Sequence, residues 1–253
     1  MPEEAGQRRI EARFRLRVGN RTLEASVNLP AGPVTVEELL PVLYAFADAY
    51  LSAVLAQAEE LGCKVSCAPG CGACCAQLVP VSEAEARRLA RLIEQMPAMR
   101  RAEVLERFRR LRLKLEAAGL WERLRDTDAL RNPDERRQVG REYFALREPC
   151  PFLEDQSCSI YPNRPMRCRE YFVTSPPAHC ADPQPETVRT VPLPVKLSEI
   201  LFCFDDGRGN RGTRWMALSH ILEWAAGPRQ SEPAALPAVE MFRNFLNQVA
   251  APK

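Results

Sequence analysis

The residues best equipped for chemistry are thiols. Five of the ten cysteines fall between Cys63 and Cys75, in Cys-Lys-Val-Ser-Cys-Ala-Pro-Gly-Cys-Gly-Ala-Cys-Cys. Interleaved with Pro69, Gly70 and Gly72, this is neither a core strand nor an amphipathic helix. Glycines let a loop fold back so that several sulfurs share one neighbourhood, which is what zinc or an iron–sulfur cluster requires of a polypeptide. A second set, Cys150, Cys158 and Cys168, lies far downstream in an equally turn-rich stretch. The two sets are expected to meet around bound metal.

Thiolates select soft or borderline ions. Seven of them, Cys67, Cys71, Cys74, Cys75, Cys150, Cys158 and Cys168, exceed the four that one tetrahedral ion takes. Some are therefore structural, or there are two metals or a cluster. Cys74 and Cys75 are adjacent, so their side chains diverge and do not easily share one ion. Arg164, Arg167 and Arg169 flank Cys168 and offer charge to offset thiolates. His179 beside Cys180 reads first as a loop histidine in solvent, with further ligands as the alternative. His220 on a helical segment reads as packing, and Cys203, in Ile-Leu-Phe-Cys-Phe, as a buried inert thiol.

Composition sets the frame. The chain has 253 residues, 46% of them hydrophobic, enough for a substantial core. A net charge of +2 gives no reason to invoke nucleic acid or an anionic membrane. The N-terminal residues are polar and no apolar run is read as approaching a membrane span, so the expectation is a cytoplasmic chain with no membrane partner. Thiols stay reduced there, and clustered thiols then point to metal or redox chemistry rather than disulfides. Two histidines support no serine–histidine–aspartate set, and no phosphate-binding glycine loop or nucleotide fingerprint is present.

The elements that must position the thiols are mostly helical. Ile10, Ala12, Phe14, Leu16 and Val18 alternate with polar residues, and Leu23, Ala25 and Val27 continue after Gly19-Asn20, predicting a β-hairpin. Thr35 with Glu38 forms a capping box for a helix that Pro41 should kink or delay and Gly62 should end. Ser82 with Glu85 repeats that signature. Leu89, Leu92, Ile93 and Met96 mark one helical face, and Val104, Phe108, Leu111 and Leu115 the next. A short helix passes Trp121, and Pro133 opens another. Later helices are expected around Arg214 to Ala226 and from Pro237 to Val249. Asp205 and Asp206 read as a turn. The expected fold is mostly α, with irregular cysteine-rich loops and a small N-terminal β-hairpin, a single metal-centred domain. Its parts are a hairpin over 1–34, a cysteine core over 35–172 with a helical insertion over about 82–147, and a proline-rich wrap with C-terminal helices over 173–253.

Cys71-Gly-Ala-Cys-Cys75, Val-Ser-Glu-Ala-Glu-Ala, Cys150-Pro-Phe-Leu and Ile-Tyr-Pro-Asn-Arg-Pro-Met-Arg-Cys168-Arg together resemble the YkgJ-type cysteine-cluster family over residues 63 to 172. That family is described as chelating zinc or iron. The resemblance implies ligation by Cys67, Cys71, Cys74, Cys75, Cys150, Cys158 and Cys168, with zinc, iron or an iron–sulfur cluster as cofactor. Three residues separate Cys67 from Cys71 where the family usually has two, leaving Cys67 and Cys63 as alternative first ligands. Three function classes are open: a metal-binding protein, an iron–sulfur-dependent enzyme, or a thiol-based redox or metal sensor. The enzyme class rests on flagellin lysine methylases, whose cysteine domain looks related, and on Cys67-x-x-x-Cys71-x-x-Cys74, the spacing of a radical S-adenosylmethionine loop. Such a loop normally follows a strand and opens strand–helix units, whereas here helices flank it.

Overall fold

The computed structural model describes residues 8–184, 186–204, 215–227 and 234–251. Its helices are α1 (Val36–Glu60), α2 (Glu83–Glu94), α3 (Ala98–Ala117), α4 (Trp121–Arg125), α5 (Pro133–Ala145), α6 (Met166–Arg169), α7 (Pro177–Ala181), α8 (Leu197–Cys203), α9 (Ile221–Ala226) and α10 (Ala238–Ala250). Its strands are β1 (Arg9–Val18), β2 (Arg21–Pro30), β3 (Pro33–Val34), β4 (Pro80–Val81), β5 (Leu153–Glu154), β6 (Ser157–Cys158), β7 (Met216–Ala217) and β8 (Leu236–Pro237). The expected mostly helical fold with a small N-terminal hairpin and cysteines in loops is what forms. Every described strand pair is antiparallel, so the strand–helix series that a radical S-adenosylmethionine loop opens is absent among the described residues.

The chain makes two compact units. Met1–Lys64, Val191–Thr213 and Arg229–Lys253 form the first, and Val65–Thr190 with Arg214–Pro228 the second.

In the first unit, β1 and β2 turn at Gly19, whose φ of +60° suits a two-residue hairpin turn that a side chain would strain. The hairpin sets Phe14 against Phe46 of α1 and Phe242 of α10, with ring centroids 5.4 and 5.7 Å apart. Helix α1 starts where its capping box dictates: Thr35 accepts from the Glu38 N–H, and the Glu38 carboxylate accepts from the Thr35 N–H. Pro41 does not delay it. At the far end Gly62 takes φ +80°, its N–H donates to the Glu59 carbonyl, and the Cys63 N–H donates to the Ala58 carbonyl. That is the paired closure of a Schellman cap. Cys63 is thus part of the helix stop.

Helix α1 departs from the expectation that no apolar run approaches a membrane span. It is long and apolar enough to cross a membrane by length and composition. In this structure it is the central core helix of its unit, with Leu39, Leu40, Leu43, Phe46 and Ala47 fully buried.

In the second unit the apolar stripes of α2 and α3 do what their spacing predicts. Ala86, Leu89 and Ile93 pack with Val104 and Phe108, and the same cluster takes in Val81, Phe152, Ile160, Leu218 and Ile221. Cys150 and Cys158 lie against it. The helix expected from Arg214 begins later: β7 pairs with β4, a short 3-10 turn comes next, and α9 starts at Ile221. Arg214, Asp205 and Asp206 lie outside the described residues. His220 packs as expected. Its ring stacks on Trp121 at 3.7 Å and its Nε2 lies 3.1 Å from the Trp121 carbonyl oxygen.

Candidate metal centre

All the thiols of interest come from four short segments of the second unit, each fixed by contacts that can be named. The first is the glycine loop. Its backbone folds through successive tight turns, with the Cys71 N–H donating to the Ala68 carbonyl and the Cys75 N–H to the Gly72 carbonyl. Gly70 supplies φ +81°. Near the loop's start the Ser66 N–H donates to the Val173 carbonyl at 2.9 Å, and the Val173 N–H returns to Cys67 Sγ at 3.4 Å. At its end the Cys75 carbonyl accepts the Cys150 N–H at 2.7 Å. One backbone bond therefore joins the two cysteine sets directly.

The second segment is the hairpin of β5 and β6, which pairs Leu153 with Cys158. Asp155 and Gln156 turn it, both with positive φ, the left-handed pair that matches strand twist in a two-residue turn. Arginines from the insertion helices clamp it. Arg107 donates to the Pro151 carbonyl and to Glu154, and Arg100 to the Ser159 carbonyl. Nearby, Arg88 reaches Asn163 Oδ1 at 2.9 Å.

The glycine loop seats on this turn. A Cβ on Gly72 would stand 2.8 Å from Leu153 Cδ1 and 3.0 Å from the Gln156 carbonyl oxygen. Gly72→Val is therefore expected to destabilise the protein by about 2 kcal/mol and to lower its metal content. Gly140→Ala, which meets open space on α5, should be neutral or slightly stabilising. Urea unfolding of the two variants checks this. A Gly72→Val midpoint equal to the parent's would mean that the loop does not pack on the turn.

The third segment is α6, carrying Cys168. It is held by the buried Glu85, whose Oε1 accepts the Met166 N–H at 2.6 Å while Oε2 accepts from Ser82. The fourth is α7, carrying Cys180. Arg147, itself at φ 52°, reaches across from the end of α5 to the Ala181 carbonyl and to Asp182.

The thiols these segments bring together can be named by whose charges they feel. Cys67 faces Cys71 and Cys74. Cys75 faces Cys74, Cys150 and Cys168. Cys168 faces Cys150, Cys158 and Cys74. All seven thiols expected from sequence thus fall in one neighbourhood. Cys180 joins them, buried and facing Cys74, Cys67 and Cys71. In the sequence it stands out only as the neighbour of His179. His179 itself turns Nδ1 to the Thr187 carbonyl oxygen at 3.0 Å. Cys203 departs from expectation, being exposed at the end of α8 in the other unit. None of the ten cysteines is in a disulfide.

Burial pushes the Cys150 thiol up to about 12 and the Cys180 thiol up to about 11, and it raises Cys168, Cys158 and Cys67 as well. Cys74 moves the other way. A hydrogen bond from the Cys75 thiol brings it down to about 7, while the same bond pushes Cys75 up. The two adjacent sulfurs thus lie within hydrogen-bonding reach of each other, where the sequence led to the expectation that they diverge. Arg164 lies near Cys67, Cys74 and Cys158, and Arg169 near Cys158. Of the three flanking arginines, these two supply positive charge to the thiols. Arg164 is held in place by stacking on Tyr161, 3.9 Å from the ring centroid.

Among the described residues no three cysteine, histidine, aspartate or glutamate side chains stand together as a group that could hold a metal ion. The donors are nonetheless of the right chemistry for zinc or iron, and they lie on contacting segments.

Residues 66–189 match the CxxCxxCC family, described as "Putative zinc- or iron-chelating domain". The match runs beyond the stretch read from sequence and takes in Cys180. No curated protein and no solved structure matches the chain.

Proposed function

We propose that this chain, whose residues 66–189 match the CxxCxxCC family, chelates zinc or iron through Cys67, Cys71, Cys74, Cys75, Cys150, Cys158 and Cys168. The observation that carries this reading is the backbone bond from Cys150 to Cys75, which joins thiols distant in sequence inside one unit. The cluster is free of disulfides and has Arg164 beside Cys67, Cys74 and Cys158, where a cation offsets thiolate charge. A bound ion would be held by soft thiolates, with Arg164 and Arg169 offsetting their charge. Zinc would supply a structural, redox-inert joint; an iron–sulfur cluster would add electron transfer.

Elemental analysis of protein purified without air tests the reading. At least one equivalent of zinc or iron per chain is expected, with visible absorbance where the metal is an iron–sulfur cluster. Substoichiometric transition metal throughout, with every cluster thiol open to alkylation, would overturn it.

A further inference from the structure

The hairpin of the first unit takes no part in the cysteine cluster, yet it presents a surface of its own. We propose that the outer edge of β1 takes up an extended acidic segment of a partner protein as a third, antiparallel strand, with acidic side chains on its arginine row and apolar ones beside Ile10 and Phe14.

The edge is open in its backbone. β1 and β2 make a two-stranded sheet, so each strand has one side with no strand beside it among the described residues. The Ala31 N–H donates to the Arg8 carbonyl, which continues the register of the hairpin by one pair. Inter-strand bonds therefore fall on the even-numbered residues of β1, and Arg9, Glu11, Arg13, Arg15 and Arg17 turn their N–H and C=O groups to the open side. The strand is ten residues long, and strand addition draws its affinity from main-chain bonds to an edge of this kind.

The side chains decide what fits that edge. β1 alone has four arginines and one glutamate, an excess above the +2 of the whole chain. All five are exposed on the outward face, with residues two apart spaced by about 7 Å. Arg13 meets Glu11 at 3.2 Å and Arg15 meets Glu24 at 2.6 Å, but the two arginine side chains are 81% and 74% exposed. Such surface pairs are weak and exchange partners at little cost. Arg9 and Arg17 meet no carboxylate among the described residues. On the opposite face Ile10 stays 41% exposed and Ala12 and Phe14 are half-buried, so the apolar row beside the open edge is partly uncovered. A strand that alternates acidic with apolar residues answers both rows. A second copy of β1 does not, because pairing along its length sets arginines beside arginines. Duplex nucleic acid would answer the arginines and leave the main-chain edge and Ile10 unmet.

Fluorescence anisotropy of a labelled peptide alternating glutamate with valine, of the same length as β1, titrated with the full chain, tests the proposal. Saturable binding is expected. Arg13→Glu and Arg15→Glu together should weaken it about tenfold, while Arg136→Glu on the exposed side of α5 leaves it unchanged. N-methylation of the peptide's glutamates should abolish binding and N-methylation of its valines should not, since only the glutamate amides face β1 in an antiparallel addition. The methylated peptides need no protein variant, so a charge-reversed chain that fails to fold does not decide the matter. No binding to the wild type, or equal binding of the two methylated peptides, would overturn strand addition. Duplex DNA bound more tightly than the peptide and lost in the same double variant would assign the arginine row to nucleic acid and overturn it too.

Discussion

Stripping the metal with a chelator is expected to raise amide exchange through residues 66–75, 150–168 and 173–181 together, and to leave β1, β2 and α10 as they were. The reason is how little else orders those segments. β5 and β6 have two residues each, α6 has four and α7 five. In the glycine loop from Cys67 to Cys75 only Gly72 is buried. Segments this short do not hold themselves in regular structure. Besides a few buried side chains, Phe152, Ile160 and Met166, and the Glu85 and arginine contacts, they are held by ties such as Ser66 to Val173 and Cys75 to Cys150. A four-thiolate zinc site contributes on the order of 10 kcal/mol of apparent binding free energy, much of it expressed as folding free energy. Its removal should therefore be felt at every segment that supplies a ligand. The first unit is ordered differently. Ten-residue strands pair along their whole length, and Phe46 meets Phe14, Tyr50, Phe242 and Phe245 around one centre. Hydrogen-exchange mass spectrometry before and after metal removal, with reductant present, makes the comparison. Exchange rising evenly over both units, or unchanged in the three cysteine stretches, would place the ligands elsewhere.

What is legible in the sequence is whatever short-range chemistry determines. The capping boxes at Thr35 and Ser82 close over three residues, and both form. Gly19-Asn20 turns a hairpin because alternation on either side demands it. The stripe from Val104 to Leu115 is buried because its period is that of a helix. What escapes such a reading depends on long-range ties. Cys180 sits in a proline-rich stretch with no periodicity. It is brought to the cluster by Ser66, more than 100 residues earlier, and by Arg147 reaching Ala181. The pairing of β4 with β7 draws residues 216–217 onto the cysteine unit through two-residue strands, too short to leave a pattern. Pro41 has a local cost, one lost helical hydrogen bond. The capping box before it and the burial of Leu39, Leu40 and Leu43 around it outweigh that cost. Apolar neighbours suggest burial for Cys203, but it falls at the last residue of α8, where the chain leaves the helix face that is covered.

Glu85→Ala is expected to be the most damaging single change outside the thiols, costing about 3 kcal/mol or more. The carboxylate is fully buried. One oxygen accepts the Ser82 N–H and lies 2.9 Å from the Ser82 hydroxyl, closing the cap of α2. The other accepts the Met166 N–H at 2.6 Å, the first amide of α6. Hydrogen bonds to a charged acceptor contribute about 1.5–3 kcal/mol each, and alanine removes them at once. It also leaves the Ser82 and Met166 N–H groups buried with nothing to replace the carboxylate. The loss does not stay local, because Met166 is two residues before Cys168. With α6 unpinned, Cys168 is no longer held toward Cys150 and Cys158, and metal content should fall along with stability. Glu85→Gln keeps the shape but turns one acceptor into a donor aimed at an N–H, so it should recover only part of the loss. Glu83→Ala, two residues away on the same helix, removes a carboxylate whose contact with Arg87 is a partly exposed 3.6 Å pair, and should cost less than about 1 kcal/mol. Chemical denaturation of the three variants, with zinc content measured on each, separates these roles. A Glu85→Ala protein as stable as Glu83→Ala would show that the carboxylate does not hold the two helix starts together. Full stability loss with metal content unchanged would show that Cys168 is held in place without the bond from Met166 to Glu85.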